Sequence, residues 1–123
     1  MLIVNANTVQ VNGQTVAIVG KPVYKRGKPK VDVKTATVGE EVRVYESLDY
    51  TEAIGSVTIK LHPTNENIEL IEDWQDNIGK NAIRMTDRKT GFTKTFKNMS
   101  ISEDLEIDFD AEIEVEFVGG QGV

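Results

Sequence analysis

The C-terminal segment from Leu105 to Val118 alternates acidic and apolar residues along nearly its whole length and contains no lysine or arginine. Successive side chains of an extended strand point to opposite faces. The segment is therefore predicted to form one last strand, with a break near Asp110–Ala111, that carries an apolar row and an acidic row. Because such a row of carboxylates repels itself, it indicates a surface that stays negative or that meets a positive partner. The acidic row is Glu106, Asp108, Asp110, Glu112, Glu114 and Glu116.

A basic segment earlier in the chain is a natural counterpart of the acidic row. From Lys21 to Lys34 the only acid is Asp32. The two segments can pair within one molecule, or the basic segment of one copy can dock on the acidic row of the next. The second arrangement is head-to-tail contact, which builds rings or filaments. A third interpretation is that both segments only face water. The residues proposed for the docking loop are Lys25, Arg26, Lys28 and Lys30.

The bulk properties limit the classes of protein to which the chain can belong. Its 123 residues predict a single domain, 1–123, with one modest core. The formal charge of -6 argues against a protein that reads nucleic-acid sequence, since such proteins need basic surfaces. The absence of cysteine excludes disulfides and thiolate catalysis. We expect a soluble product of the cytoplasm, with no signal peptide and no membrane anchor.

Alternating runs rich in β-branched residues predict most of the chain as strands. The Asn-Gly pair at 12–13 predicts an N-terminal hairpin, and the glycine-containing turn at 87–91 predicts a second one. In the run 41–49, Val42, Val44 and Glu46 are expected on one face. The predicted strands are Thr8–Val11, Thr15–Val19, Val31–Val38, Glu41–Asp49, Ser56–Leu61, Ala82–Thr86 and Thr93–Lys97, with Asn98–Ser102 extending or bending the last.

One amphipathic helix, roughly residues 65–78, interrupts the strands. Thr64 is a suitable N-cap and Gly79 is placed to end the helix in a left-handed conformation. Its apolar stripe contains Ile68, Ile71, Trp74, Gln75 and Ile78. The fold class expected is mainly β: a small antiparallel β-sandwich or partly open barrel with one flanking helix. Residues 119–123 are expected to be a flexible tail.

No arrangement of residues in the sequence supports an enzyme. The single histidine, His62, lies at the helix entry without a nucleophile in a recognisable context. Asp108, Asp110 and Glu112 follow a strand period and not the glycine-bent loop of a calcium site. The glycine-rich end of the chain has no helix after it to hold a phosphate. We therefore predict no catalytic residues, no metal and no cofactor.

Three stretches, together with the acidic C-terminal segment, resemble a known family. They are GSVTIKL at 55–61, TNENIELIEDW at 64–74 and GFTKTFKNMSI at 91–101. With the final strand they look like the tail tube proteins of contractile-tailed (myovirus-type) bacteriophages and related prophages. The resemblance covers roughly residues 31–117 and is one of pattern: strand, capped helix, glycine hairpin and final strand.

The resemblance implies a structural virion protein that assembles with itself into hexameric rings stacked head to tail. These rings would form the inner tube of a contractile tail and conduct the genome into the host. It also implies a tail sheath protein, a baseplate and a tape-measure protein as partners, and assembly in the cytoplasm of the bacterial host. A negative lumen would let DNA pass without specific binding. The acidic row either lines that lumen or faces the basic loop of a neighbouring subunit.

Two other interpretations of the sequence stay open. A monomeric β-sandwich binding module explains the fold equally well and predicts an exposed aromatic patch or pocket. Another tail or baseplate component with the same sandwich is a closer alternative. Bacteriocin and secretion-system tubes share the plan of the phage tail.

Overall fold

The computed structural model of the chain describes residues 7–28, 30–49, 54–120 and 122. These residues form nine strands and one α-helix. In chain order the elements are β1 (Asn7–Val11), β2 (Gln14–Val16), β3 (Val23–Lys25), β4 (Lys30–Val38), β5 (Glu41–Asp49), β6 (Gly55–Leu61), α1 (Asn65–Asp76), β7 (Asn81–Asp87), β8 (Phe92–Ile101) and β9 (Ile113–Gly119). None of the described residues belongs to a helix that is long and apolar enough to cross a membrane.

Seven of the strands form one antiparallel sheet in the order β2-β1-β7-β8-β9-β6-β3. The sheet does not close into a barrel in the described part of the chain, because its two edge strands, β2 and β3, are not paired with each other. β4 and β5 form a separate two-stranded sheet. The predicted class, mainly β with a small antiparallel sandwich or partly open barrel and one flanking helix, is confirmed.

A bulge in β8 lets this strand join both halves of the sheet. Asn81 of β7 pairs with Met99, whereas Ile83 pairs with Phe96, so β8 holds one extra residue between the two pairs. Asn98, inside the bulge, has a positive φ of 59°. Since a bulge bends its strand, the first part of β8 pairs with β7 and its last residues pair with β9.

The core lies on the inner face of this bent sheet and under the helix. The alternation predicted for Ser56–Leu61 is confirmed, because Val57, Ile59 and Leu61 are fully buried. Strands from both halves of the sheet contribute to one continuous cluster. Its other buried members are Val9, Val11, Val16, Ile71, Trp74, Ile83, Met85, Phe96, Met99, Ile113, Val115 and Phe117.

The helix begins as predicted and ends two residues earlier. The Thr64 side chain accepts a hydrogen bond from the Asn67 N–H at 3.2 Å, which satisfies one of the orphan donors of the first turn. Asn77 is the C-cap, and Gly79 follows with a φ of 70°. Ile78 therefore lies beyond the helix and is 74% exposed, so its place in the apolar stripe was wrong. Trp74 is buried, with its ring centroid 5.5 Å from that of Phe117.

A buried asparagine joins the N-terminal hairpin to the end of the helix. Asn81 is fully buried, and its amide donates to the carbonyls of Trp74 (3.0 Å) and Asn77 (3.2 Å). Its oxygen accepts from the side-chain amides of Asn12 (3.1 Å) and Asn77 (3.2 Å). Asn12 and Gly13 form the turn predicted between β1 and β2, and both have positive φ. The turn residue Asn12 thus also fixes the hairpin to the helix.

The break predicted near Asp110–Ala111 is confirmed, but the strand predicted before it, from Leu105, was wrong, because β9 begins only at Ile113. The Asp110 N–H donates to the Asp108 carboxylate at 2.9 Å. This local turn gives the backbone an alternative to the sheet. Leu105 and Ile107 still pack partly against the core, whereas Phe109 is 76% exposed.

Candidate assembly surfaces

The structure divides the acidic row into two groups. Glu114 and Glu116 lie on the outer face of β9, opposite Lys60 and Thr58 of β6, and Glu103 joins them around a shallow polar depression. The other four predicted acids lie before β9, outside the sheet. The row is therefore not the single strand face that the alternation predicted, although all six side chains are exposed: Glu106, Asp108, Asp110, Glu112, Glu114 and Glu116.

The basic loop leaves the edge strand β3 and leads to β4. The side chains of Lys25, Arg26 and Lys28 are exposed, and the side chain of Lys30 lies outside the described part of the structure. The Arg26 carbonyl accepts a hydrogen bond from the Gly122 N–H at 2.9 Å. Gly122 belongs to the predicted tail, and the flexibility of that tail stays a prediction. Among the described side chains, no ion pair joins this loop to the acidic row. The ion pair that the described side chains do form lies within β5, between Arg43 and Glu41, at 3.7 Å.

The two-stranded sheet formed by β4 and β5, called here the ribbon, has one largely apolar face. Directly paired residues of an antiparallel sheet project to the same side. The register pairs Val33 with Glu46 and Thr35 with Val44, which confirms that Val42, Val44 and Glu46 share a face. This surface, called here the valine face, contains Val31, Val33, Thr35, Thr37, Val42, Val44 and Glu46.

The valine face has no partner within the described part of the chain. Every ribbon side chain that the structure describes is exposed, and Val42 and Val44 are 66% and 59% exposed. The opposite face is more polar and carries Lys34, Glu41 and Arg43. An isolated two-stranded sheet is at best marginally stable in water, and exposed valines in register are typical of an interaction surface. Both observations indicate that the ribbon is completed by another surface.

A second exposed apolar surface lies where the sheet remains open. Tyr24 of β3 stacks on Phe92 of β8, with ring centroids 6.2 Å apart and planes 17° apart, and meets the buried Phe96 edge-on at 6.0 Å. Lys94 extends over the Phe92 ring, with Nζ 5.7 Å from its centroid. Tyr24, Phe92, Lys94 and Met85 are called here the aromatic patch. They adjoin a cavity of about 200 Å³, which Tyr24, Phe92 and Met85 help to line.

Sequence analysis identified neither the valine face nor the aromatic patch as a surface. The alternation in the ribbon strands is the same as that of a strand over a core, so the pattern alone could not show that the ribbon stands apart. Tyr24 and Phe92 are far apart in sequence, and only the pairing of β3 with β6 and of β8 with β7 brings them to one end of the sheet.

The described residues provide no constellation for metal chemistry. No group of three or more histidine or acidic side chains among them is placed to hold a metal ion. His62 is exposed in the loop before the helix, as the sequence predicted, and its carbonyl accepts from the Asn67 amide at 3.0 Å.

Comparison with solved structures identifies the fold. The chain is similar to a protein of the sheath-tube complex of an extracellular contractile injection system (PVC), with a TM-score of 0.64, 13% identity, and coverage of 100% of this chain and 90% of that one. It is also similar to a sheath/tube terminator of the same system, with a TM-score of 0.60, 13% identity, and coverage of 100% of this chain and 95% of that one. A third similar structure is the tube-terminating cap of the anti-feeding prophage, with a TM-score of 0.59, 12% identity, and coverage of 96% of this chain and 86% of that one. No family model and no curated protein sequence matches the chain. The tail-tube resemblance is confirmed as a likeness of fold.

Proposed function

We propose that the chain is the tube subunit of a contractile tail and that it assembles with itself into hexameric rings that stack head to tail. The observation that carries the proposal is the ribbon, whose valine face is uncovered in a single copy. A tube subunit has neighbours beside it, above it and below it, so that such a surface is covered once the tube has formed. The likeness of fold to tube and tube-terminator components supports the same role.

In this proposal the stacked rings enclose a channel through which the genome passes into the host, within a sheath and above a baseplate. A tape-measure protein would set the length of the tube. The particle is a virion assembled in the bacterial cytoplasm. The role of the chain is structural, without catalysis, cofactor or metal.

The acidic residues fit either of two positions in such a tube. Glu114 and Glu116 share the outer sheet face, and a lumen lined by that face would repel the phosphates of passing DNA. The acids outside the sheet, such as Asp108 and Asp110, would then be free to meet a neighbour's basic loop. The two uses compete for the same type of side chain.

Charge reversal separates these uses. If the acidic row docks on the basic loop, Glu114→Lys blocks assembly and Lys28→Glu in the same chain partly restores it, because the pair is then reversed and not lost. Lys80→Glu, an exposed lysine after the helix, is the matched control and should assemble normally. Assembly is measured by sedimentation velocity against protein concentration. Normal assembly of both single variants would contradict docking and leave the lumen as the role of Glu114.

A tube terminator is the second candidate, since two of the similar structures are terminators or caps. A terminator forms a single ring, whereas a tube subunit stacks into a filament whose length grows with concentration. The monomeric binding module gains one supporting observation in the half-exposed aromatic patch. It predicts a single sedimenting species of one chain at every concentration.

A further inference from the structure

Two exposed apolar surfaces of the chain carry side chains of opposite charge. The valine face is a long strip that contains one acidic residue, Glu46. The aromatic patch is an open end of the core that contains one lysine, Lys94, beside the half-exposed rings of Tyr24 and Phe92. Within one copy the two surfaces do not cover each other, because the ribbon's described side chains are all exposed.

We propose that the valine face of one copy docks on the aromatic patch of a second copy, with Glu46 placed beside Lys94. This inference rests on the self-assembly proposed above and names the surfaces that carry it. Val42 and Val44 would pack against Tyr24 and Phe92 and so cover the open end of the sheet. Because donor and acceptor surfaces differ, the contact is heterologous, as the closure of a ring requires.

The other acid near the patch is engaged by its own turn. Asp87 lines the same cavity, but its carboxylate already accepts hydrogen bonds from its own turn. One oxygen accepts from the Lys89 N–H at 3.0 Å and the other from the Thr90 hydroxyl at 3.3 Å. Lys94 has no ion-pair partner among the described residues, so it is the charge in the patch that is available to a docking acid.

The size of the ribbon indicates a contact that is weak by itself. Nine residues at about 3.3 Å each, over two strands about 5 Å apart, give a face of roughly 300 Å². A stable interface buries about 800 Å² on each partner. The single contact would therefore be short-lived, and closure of a ring, in which each copy makes the contact twice, would stabilise the assembly.

Cross-linking tests the proposed contact directly, because the chain contains no cysteine. Val44→Cys on the valine face and Pro22→Cys, which lines the cavity beside the patch, are purified separately, mixed, and treated with a short bismaleimide. The expected product is the mixed dimer, identified by mass. The matched control replaces Val44→Cys by Arg43→Cys, on the opposite face of the ribbon, and should give far less of it. Equal yields from the two ribbon positions would overturn the proposal.

Charge exchange provides the second test. Glu46→Lys and Lys94→Glu should each raise the concentration for half-assembly by about tenfold, and the double variant should recover most of that loss. Glu41→Lys, on the other ribbon face, should behave as wild type. If wild-type protein forms rings while both single variants assemble like it, this contact is wrong and the tube function stands. If wild type neither assembles nor cross-links at any concentration, both proposals fail.

Discussion

Replacement of Asn81 tests whether its hydrogen bonds, and not its volume, hold the N-terminal hairpin to the helix. Asn81→Ala removes four hydrogen bonds, of which the one to the Trp74 carbonyl is buried. The Trp74 carbonyl keeps a bond from the Asn77 N–H at 3.3 Å, so the full penalty of an orphaned acceptor does not apply. At about 0.5–1 kcal/mol for each bond, the loss of four bonds is roughly 2–4 kcal/mol.

Asn81→Asp is the more informative variant. It keeps the two acceptor contacts but removes both donors, and it places a carboxylate against the carbonyls of Trp74 and Asn77 at the negative end of the helix. At neutral pH it should therefore destabilise the chain at least as much as Asn81→Ala. Asn67→Ala, which removes one exposed hydrogen bond to the His62 carbonyl, is the control and should cost about 0.5 kcal/mol.

Urea unfolding followed by the emission of Trp74, the one tryptophan of the chain, measures these differences. For a chain of this size the predicted loss in Asn81→Ala lowers the melting temperature by roughly 10 °C. A change below about 1 kcal/mol in Asn81→Ala would refute the hydrogen-bond account. So would an Asp variant clearly more stable than the Ala variant, because that order is expected if the site needs only volume.

Three further predictions concern stability and are measured by the same unfolding assay. Gly55→Ala should destabilise by about 1–3 kcal/mol, because the new Cβ would lie 2.9 Å from the Phe96 ring and against the Gly120 carbonyl; a neutral result would contradict this close packing. Thr64→Ala should cost about 1 kcal/mol and Thr64→Asn much less, and equal losses would exclude the capping role. Ile71→Ala should lower the free energy of unfolding by about 2–4 kcal/mol and Ile78→Ala by less than about 0.5 kcal/mol. Similar losses in the two variants would contradict the exposed position of Ile78.

The turn of the first hairpin and the start of the helix could be predicted from the sequence, because neighbouring residues determine them. The Asn-Gly pair at 12–13 determines a hairpin through positive φ at both residues, and Thr64 marks the start of the helix. Ile71 and Trp74 follow a helical period and are buried as predicted. In each case the residue that identifies the strand turn or helix in the sequence also stabilises it in the structure.

The features that sequence could not predict depend on competition or on distant pairing. The residues before the predicted break alternate like a strand but do not join the sheet, and the Asp108 carboxylate accepts a backbone N–H in the turn that precedes β9. The ribbon alternates like a core strand, and only the topology shows that its valines are uncovered. The aromatic patch arises because β3 and the start of β8, which are remote in sequence, meet at one end of the sheet.

Negative-stain electron microscopy of the purified protein tests the central claim, self-assembly into hexameric rings, most directly. At high concentration the account predicts rings with a central hole, sixfold symmetry in averaged top views, and short stacks in side view. Val44→Asp, which places a charge on the valine face, should abolish them. Particles of a single chain at every concentration up to the solubility limit, with wild type and Val44→Asp indistinguishable, would contradict the account.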